Sequence, residues 1–378
     1  MLENCRWLLY ISRLFGCHPH TIDEISVFTN FRPLVIYSVV ACGVYCAAAY
    51  YAFGFATLCA TINVGCVLQQ INRYTRTLYM ILSTLLSCLR HTEFERTVAK
   101  TRKFDDLMQY RRWCTDTKRQ NYYMQWLIIL LIFGAWVLFA AVAMLIIKKI
   151  SATSEITYYT FVIQYITRMT FSMEIAKFCF LYDALCRRFR LLNKLCHRLI
   201  GITVGVDIDI FRVSDDHNLT IMNLQQLHRY LSDATNHLTF YYNPQLLCWI
   251  ACMLIDITTF VFANLYGNTQ YNNVLLVCSR CMMILYLSFQ VIAISRICHL
   301  TCNQANALVG TVFSTEASTC KPNEFLTEAI ELGIFLRAHP LCIKVYGLFN
   351  LDSQFTFSVI NILICFYHIF QIVFSNLV

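Results

Sequence analysis

The sequence predicts an all-α membrane protein of seven transmembrane helices, with a cytoplasmic N-terminus and an extracellular C-terminus. Three observations lead there. Of the 378 residues, 58% are hydrophobic and only 14% are charged, with a mean hydropathy of +0.53, whereas soluble domains run near half apolar and a quarter charged. The apolar runs are long and unalternating, and Gly and Pro are scarce, which favours helices over a membrane barrel. Basic residues crowd alternate connections between those runs, and the positive-inside rule turns that asymmetry into an orientation.

In chain order the spans read as 34–53, 77–89 with some flanking residues, 123–147, 158–182, 245–266, 274–297 and 355–376. The first follows Pro33; Glu3, Arg6 and Arg13 interrupt the N-terminus ahead of it, so it acts as an uncleaved signal anchor. The second is the weakest, because Arg73 and Arg76 limit its outer end. The connections 90–122, 183–244 and 298–352 are long and basic, carrying among others Arg90, Arg96, Lys100, Arg102, Arg187, Arg188, Arg190, Arg229, Arg296, Arg337 and Lys344. The opposite side holds only Arg73, Arg76, Lys148 and Lys149. These inner segments keep helical spacing, as in Leu185, Phe189, Leu192, Leu195 and Leu199, and again in Phe325, Ala329, Leu332 and Phe335. The membrane helices are therefore expected to project into the cytoplasm and pack there as one layer. The net charge of +8 suits solvated faces held by anionic lipid head groups; nucleic-acid binding has no support.

The organisation is then a cytoplasmic N-terminal segment (1–33), helices 1–6 with long cytoplasmic extensions (34–297), a cytoplasmic anchor helix and hinge (298–352) and a last membrane helix (353–378). That last helix is the most informative element. It holds no charged side chain, yet Gln354, Ser358, Asn361, Cys365, His368 and Ser375 fall on one face, with Gln371 at its edge. Polar groups in hydrocarbon cost several kcal/mol each when unsatisfied. The stripe must face either neighbouring helices of the same subunit or water. If it faces water, Asn361, Ile364, Cys365, His368, Gln371 and Ser375 line a conduit, and one such helix per chain implies several chains around an axis. With no charged ring, selectivity would come from amide and imidazole dipoles, helped by the terminal carboxylate of Val378 at the outer mouth.

Ionisable groups inside spans normally face the bundle interior. Glu174 and Lys177, three apart, neutralise each other along a helix. Arg168 and Asp256 sit near mid-depth and either pair between helices or face a wet cavity, and Arg280 lies on the sixth span. Trp136, Phe139, Tyr165 and Tyr286, together with Tyr158, Tyr159 and Tyr266, fall in the outer halves of their spans. They form either an apolar pocket edged by phenol hydroxyls or interfacial belts. In the inner connection Pro340 ends a helix and Gly347 permits a tight turn into the last span, which makes either a gate-coupling hinge or an ordinary helix-turn-helix corner.

The 20 cysteines are scattered through apolar runs and read as small hydrophobes; Cys59 and Cys66 flank an outer loop that a disulfide could bridge. No H-E-x-x-H, G-x-S-x-G or P-loop occurs, and the 10 histidines are dispersed. No catalytic site, metal or cofactor is expected.

The run His339-Pro340-Leu341-Cys342-Ile343-Lys344-Val345-Tyr346-Gly347-Leu348-Phe349-Asn350-Leu351-Asp352, followed by Phe355, Phe357 and Ser358, resembles insect gustatory receptors. Their signature in the last helix is Thr-Tyr, five apolar residues, then Gln-Phe. Gln371 is kept here, whereas Ile364-Cys365 stand for Thr-Tyr and Ile372 for Phe. The resemblance implies a seven-span chemoreceptor of the plasma membrane of sensory neurons, similar in architecture to insect odorant receptors, which are ligand-gated cation channels of four subunits. It also implies a small-molecule tastant and homo- or hetero-tetramers with related subunits. Sugar-sensing relatives follow the signature Tyr with an acidic residue; Phe366 stands there, so a bitter or contact chemical fits better than a sugar. A metabotropic seven-helix receptor without its own pore is the alternative, and a transporter is disfavoured because no internal repeat is visible.

Overall fold

The computed structural model describes residues 6–16, 31–54, 64–108, 115–150, 155–204, 221–266, 274–316 and 323–375. Its helices are α1 (Arg6–Leu14), α2 (Phe31–Gly54), α3 (Val64–Leu89), α4 (His91–Leu107), α5 (Thr115–Ile150), α6 (Glu155–Val204), α7 (Ile221–Tyr266), α8 (Val274–Glu316), α9 (Asn323–Ala338) and α10 (Ser353–Ser375). Between α9 and α10 a two-stranded antiparallel hairpin pairs β1 (Lys344–Val345) with β2 (Phe349–Asn350).

Three helices are far longer than a bilayer needs. α6 has 50 residues, α7 46 and α8 43, about 65–75 Å each at 1.5 Å per residue, against a hydrocarbon core of about 30 Å. Spans and their extensions are thus single continuous helices. Among the described residues, Met222–Asn264 and Val277–Phe313 are long and apolar enough to cross a membrane by length and composition. Pro33–Ala47, Leu78–Leu89, Trp126–Val142 and Ser353–Cys365 are shorter apolar helical stretches. The span expected at 158–182 is absent from both groups because Arg168, Glu174 and Lys177 interrupt its apolar run. The second helix begins at Val64, well before residue 77; Arg73 and Arg76 lowered its hydropathy without ending its helical backbone.

α6, α7 and α8 pack on one another, and α4 lies along α7. Their shared core is aromatic. Phe178 meets Tyr182, Tyr242 and Trp249 at ring-centroid distances of 4.4, 5.1 and 5.6 Å. The Trp249 Nε1–H donates to the Tyr79 hydroxyl, bringing α3 into the same core. In the extensions, Leu185, Phe189, Leu192 and Leu195 are buried, as is Leu332 of α9.

Not every basic side chain of the extensions is solvated. Arg188 is 1% exposed. Its Nε and Nη2 donate to Asp105 Oδ1 and Oδ2 at 2.8 and 2.6 Å, and its Nη1 donates to the Ala184 carbonyl at 2.9 Å. This bidentate fork ties α4 to α6. More exposed pairs, Lys100–Asp233 at 2.8 Å and His237–Glu93 at 2.7 Å, tie α4 to α7 and contribute less because water screens them.

The N-terminal segment contains a short amphipathic helix that the sequence reading passed over. α1 buries Leu8, Leu9 and Ser12 and exposes Trp7, Tyr10 and Leu14. The Ser12 hydroxyl donates to Glu174 Oε1 and accepts from Lys177 Nζ at 3.1 Å, while Lys177 pairs with Glu174 Oε2 at 2.5 Å. The intrahelical pair is therefore also an anchor for α1. Gly16, at φ +76°, closes α1 against α2, where an added Cβ would stand 2.8 Å from the Ala41 Cβ.

His228 lies on the α7 extension, outside the span expected at 245–266. Its Nε2–H donates to the Ala305 carbonyl at 3.2 Å and its ring meets Phe189 edge-on at 5.7 Å. Burial lowers its pKa below the ordinary histidine value, opposed by the carbonyl bond. The folded state thus binds this proton less readily than the unfolded chain, whose pKa is about 6.5. The stability it confers is present at neutral pH and fades as pH falls below that range. Melting temperature should drop more between pH 7.5 and pH 5 in the native protein than in His228→Gln; parallel losses would assign the acid sensitivity elsewhere.

Candidate ligand cavity and conduit helix

The candidate site is built where α5, α6, α7 and α8 meet. Trp136 of α5 is its hub. Its ring packs edge-on against Phe139 at 5.7 Å, Tyr165 of α6 at 5.8 Å and Tyr286 of α8 at 5.5 Å. Its indole Nε1–H donates to Ser172 Oγ at 3.2 Å, which also accepts from Gln290 Nε2 at 2.8 Å and donates to the Arg168 carbonyl at 3.1 Å. Ser172 is thereby fully used. Beside this network lies a cavity lined by Trp136, Arg168, Phe171 and Ser172 from α5 and α6, and by Cys252, Asp256, Leu287 and Gln290 from α7 and α8. About 270 Å³ of space, part of it open to solvent, lies between these side chains, and only about 10 Å³ of it takes the centre of a water molecule. That is room for about one water, so an organic guest must push side chains apart to enter.

The polar wall is incompletely satisfied. Among the described residues, Gln290 Oε1 and Arg168 Nε are buried without a hydrogen bond. The Arg168 guanidinium stands 5.3 Å from the centroid of the Phe260 ring. An unsatisfied buried polar atom costs about 1–3 kcal/mol, a cost that a guest with complementary groups can remove. Arg280 lies apart, donating to the Ala263 carbonyl at 2.6 Å.

The six residues expected to contact a ligand therefore fall into one neighbourhood: Trp136, Phe139, Tyr165 and Tyr286 as a ring cluster, Trp136, Arg168 and Asp256 as cavity wall. Ser172 and Gln290 escaped the sequence reading. Their spacing could have revealed them, since Ser172 follows Arg168 and Gln290 follows Tyr286 by one helical turn. The side chains of Tyr158, Tyr159 and Tyr266 lie outside the described residues, as does the possible bridge between Cys59 and Cys66. Among the described residues, no group of three or more His, Cys, Asp or Glu side chains is placed to hold a metal ion.

α10 stands apart from this cavity. Asp352 caps its start, Oδ1 accepting the Phe355 N–H at 3.0 Å, and Ser295 of α8 donates to the Asp352 carbonyl. Val359 is buried, and Phe355 and Leu363, one turn to either side, pack with it onto the core of α7 and α8. Gln354, Ser358, Asn361, Cys365 and His368 are exposed on the other side of the helix, and Ile364 is 48% exposed. Gln371 and Ser375 continue the helix, but their side chains, like all of Val378, lie outside the described residues.

The entry to α10 is a tight turn. α9 ends at Ala338, Pro340 follows, and the Asn306 side chain bonds the Leu341 backbone twice, at 3.0 and 2.9 Å. Leu348 N–H then donates to the Val345 carbonyl at 2.9 Å across Tyr346 and Gly347, whose φ angles are +49° and +72°. Two positive φ values are what a type I′ hairpin turn requires. Gly347 meets that demand without strain, whereas Tyr346 pays about 1–3 kcal/mol.

The fold is thus a bundle of long helices with a small aromatic-walled cavity among its middle helices and a last helix on which Asn361, Cys365 and His368 are exposed. The chain belongs to the 7tm chemosensory receptor family, whose model matches residues 5–370. Solved structures share the fold, two of them of one receptor. One is the insect olfactory receptor OR5 from Machilis hrabei in complex with eugenol, with a TM-score of 0.68 and 12% identity over 97% of each chain. The other, of the same receptor, gives 0.64 and 13% over 97% of this chain and 96% of that one. No functionally curated protein matches the sequence.

Proposed function

We propose that the protein is an insect gustatory receptor, acting as a subunit of a ligand-gated, non-selective cation channel opened by a small organic tastant. The observation that carries this reading is the orientation of α10: Phe355, Val359 and Leu363 pack inward on α7 and α8, while Asn361, Cys365 and His368 are exposed, beside the exposed apolar side chains of Phe357, Ile360, Ile362 and Ile364. A polar face turned away from its own bundle needs water or other copies of the helix, and a homo- or hetero-tetramer around a shared conduit supplies both. Ile364, Gln371 and Ser375 would complete the lining, with Pro340 and Gly347 as the hinge beneath it. The N-terminus lies in the cytoplasm of a sensory dendrite and the C-terminus outside, and the basic inner extensions face anionic lipid.

The tastant binds beside Trp136, Phe139, Tyr165 and Tyr286, with Arg168, Asp256 and Gln290 as polar contacts. An aromatic ring carrying a hydroxyl suits this wall, because rings stack on Trp136 and a hydroxyl donates to Gln290 Oε1. The OR5 receptor of the same fold was solved with eugenol, a molecule of that chemistry. Such a guest is nearer a bitter or contact chemical than a sugar, whose many hydroxyls the cavity does not match.

The test is purified protein in a planar bilayer, challenged with a panel of small phenols. Evoked cation current is expected, and Trp136→Ala should raise the half-maximal concentration about tenfold, the equivalent of roughly 1.4 kcal/mol of lost contact. Silence of the wild-type protein at every phenol would count for a receptor that conducts nothing itself. Glycan on Asn218, within Asn218-Leu219-Thr220 of an inner connection outside the described residues, would invert the topology.

A further inference from the structure

Pro244 lies inside α7. Lacking an N–H, it leaves the carbonyl of Phe240, one turn earlier, without its helical donor. Arg90 supplies one. Its Nη1 donates to the Phe240 carbonyl oxygen, and its guanidinium carbon lies 4.5 Å from the centroid of the Phe240 ring. Its Nη2 reaches the Tyr346 hydroxyl at 3.4 Å. Arg90 itself sits at the joint of α3 and α4, at φ −101° and ψ 19°, held by its own N–H to the Leu86 carbonyl at 2.9 Å. Tyr346 is the bulky residue at φ +49° in the turn that feeds α10. A strained residue persists only where its surroundings hold it.

One side chain therefore joins the α3–α4 joint, the proline site of α7 and the turn below α10. A planar guanidinium can serve two acceptors and a ring face at once, which an ammonium cannot. α7 also carries Cys252 and Asp256 of the cavity wall. We propose that Arg90 is a positioning residue that clamps the proline-interrupted turn of α7 to the Tyr346 turn, so that a shift of α7 at the cavity is delivered to α10. The delivery rests on the channel reading above; the clamp does not.

Two measurements test it. In purified protein in lipid nanodiscs, Arg90→Gln lowers the melting temperature, while Pro244→Ala restores an N–H donor to Phe240. In the Pro244→Ala background Arg90→Gln then costs less than half the drop it causes in the wild type. Additive drops overturn the clamp. Should Arg90→Gln yield no folded protein, Arg90→Lys, which keeps the charge and loses the fork, carries the same comparison. In bilayers with the phenol panel, Tyr346→Phe keeps the wild-type melting temperature but lowers the maximal current at least fivefold, with the half-maximal concentration shifted less than twofold. An unchanged maximal current overturns the delivery to α10. Absence of current from the wild type itself would strike the channel reading, and the melting comparison would still decide the clamp.

Discussion

Replacing Arg188 with alanine is expected to cost about 3–5 kcal/mol of stability, enough to remove most folded receptor from the cell surface. The size follows from burial. Arg188 is 1% exposed and Asp105 17% at the side chain, so the variant strands a carboxylate that water reaches poorly and that has lost both bonds of a bidentate fork. Replacing both partners, as in Arg188→Met with Asp105→Leu, removes the stranded charge, and stability should return to within about 1–2 kcal/mol of the native protein. Arg187 is the control: its pair with Asp183 is a turn apart on one helix and about a third exposed, worth at most about 0.5 kcal/mol. Melting in detergent and surface labelling read the series. Equal effects of Arg187→Ala and Arg188→Ala would show that the α4–α6 tie does not hold the extension together.

This contrast marks where sequence reasoning reached its limit. Arg187, Arg188 and Arg190 form one basic run, and hydropathy gives all three the same weight. Only its reach to Asp105 of α4, 83 residues earlier in the chain, distinguishes the buried one. The long apolar runs and the stripe on α10 were legible because they repeat with the helical period and need no partner to be seen. The wall of the cavity was half legible. Trp136, Tyr165 and Tyr286 are conspicuous residue types, whereas Ser172 and Gln290 are ordinary ones that matter through the bonds they share. The hairpin before α10 was missed beyond its glycine, because strands of two residues carry no periodicity and Tyr346 is an unexpected residue at positive φ. α1 was missed for a different reason: nine residues are too few to be stable alone, and its helix is sustained by burying Leu8, Leu9 and Ser12 on α6.

The other large effect concerns the native thiol of Cys365. It is exposed on the face of α10 opposite Val359, among residues that carry no charge. A hydrophilic, positively charged methanethiosulfonate applied to the open receptor should therefore block most of the evoked current. A permeating cation passing about 5 Å from the attached ammonium meets roughly 3 kcal/mol of repulsion at an effective dielectric constant of about 20, which slows passage about a hundredfold. Cys365→Ser should remove the block, which matters because Cys278, Cys281 and Cys342 are also exposed. In that background Asn361→Cys and His368→Cys should restore it, and Val359→Cys, facing the core, should not. Block that survives Cys365→Ser would place the sensitive thiol elsewhere. Full current through a labelled Cys365 would mean that the stripe touches protein or lipid, and the conduit would then have to be sought on another helix.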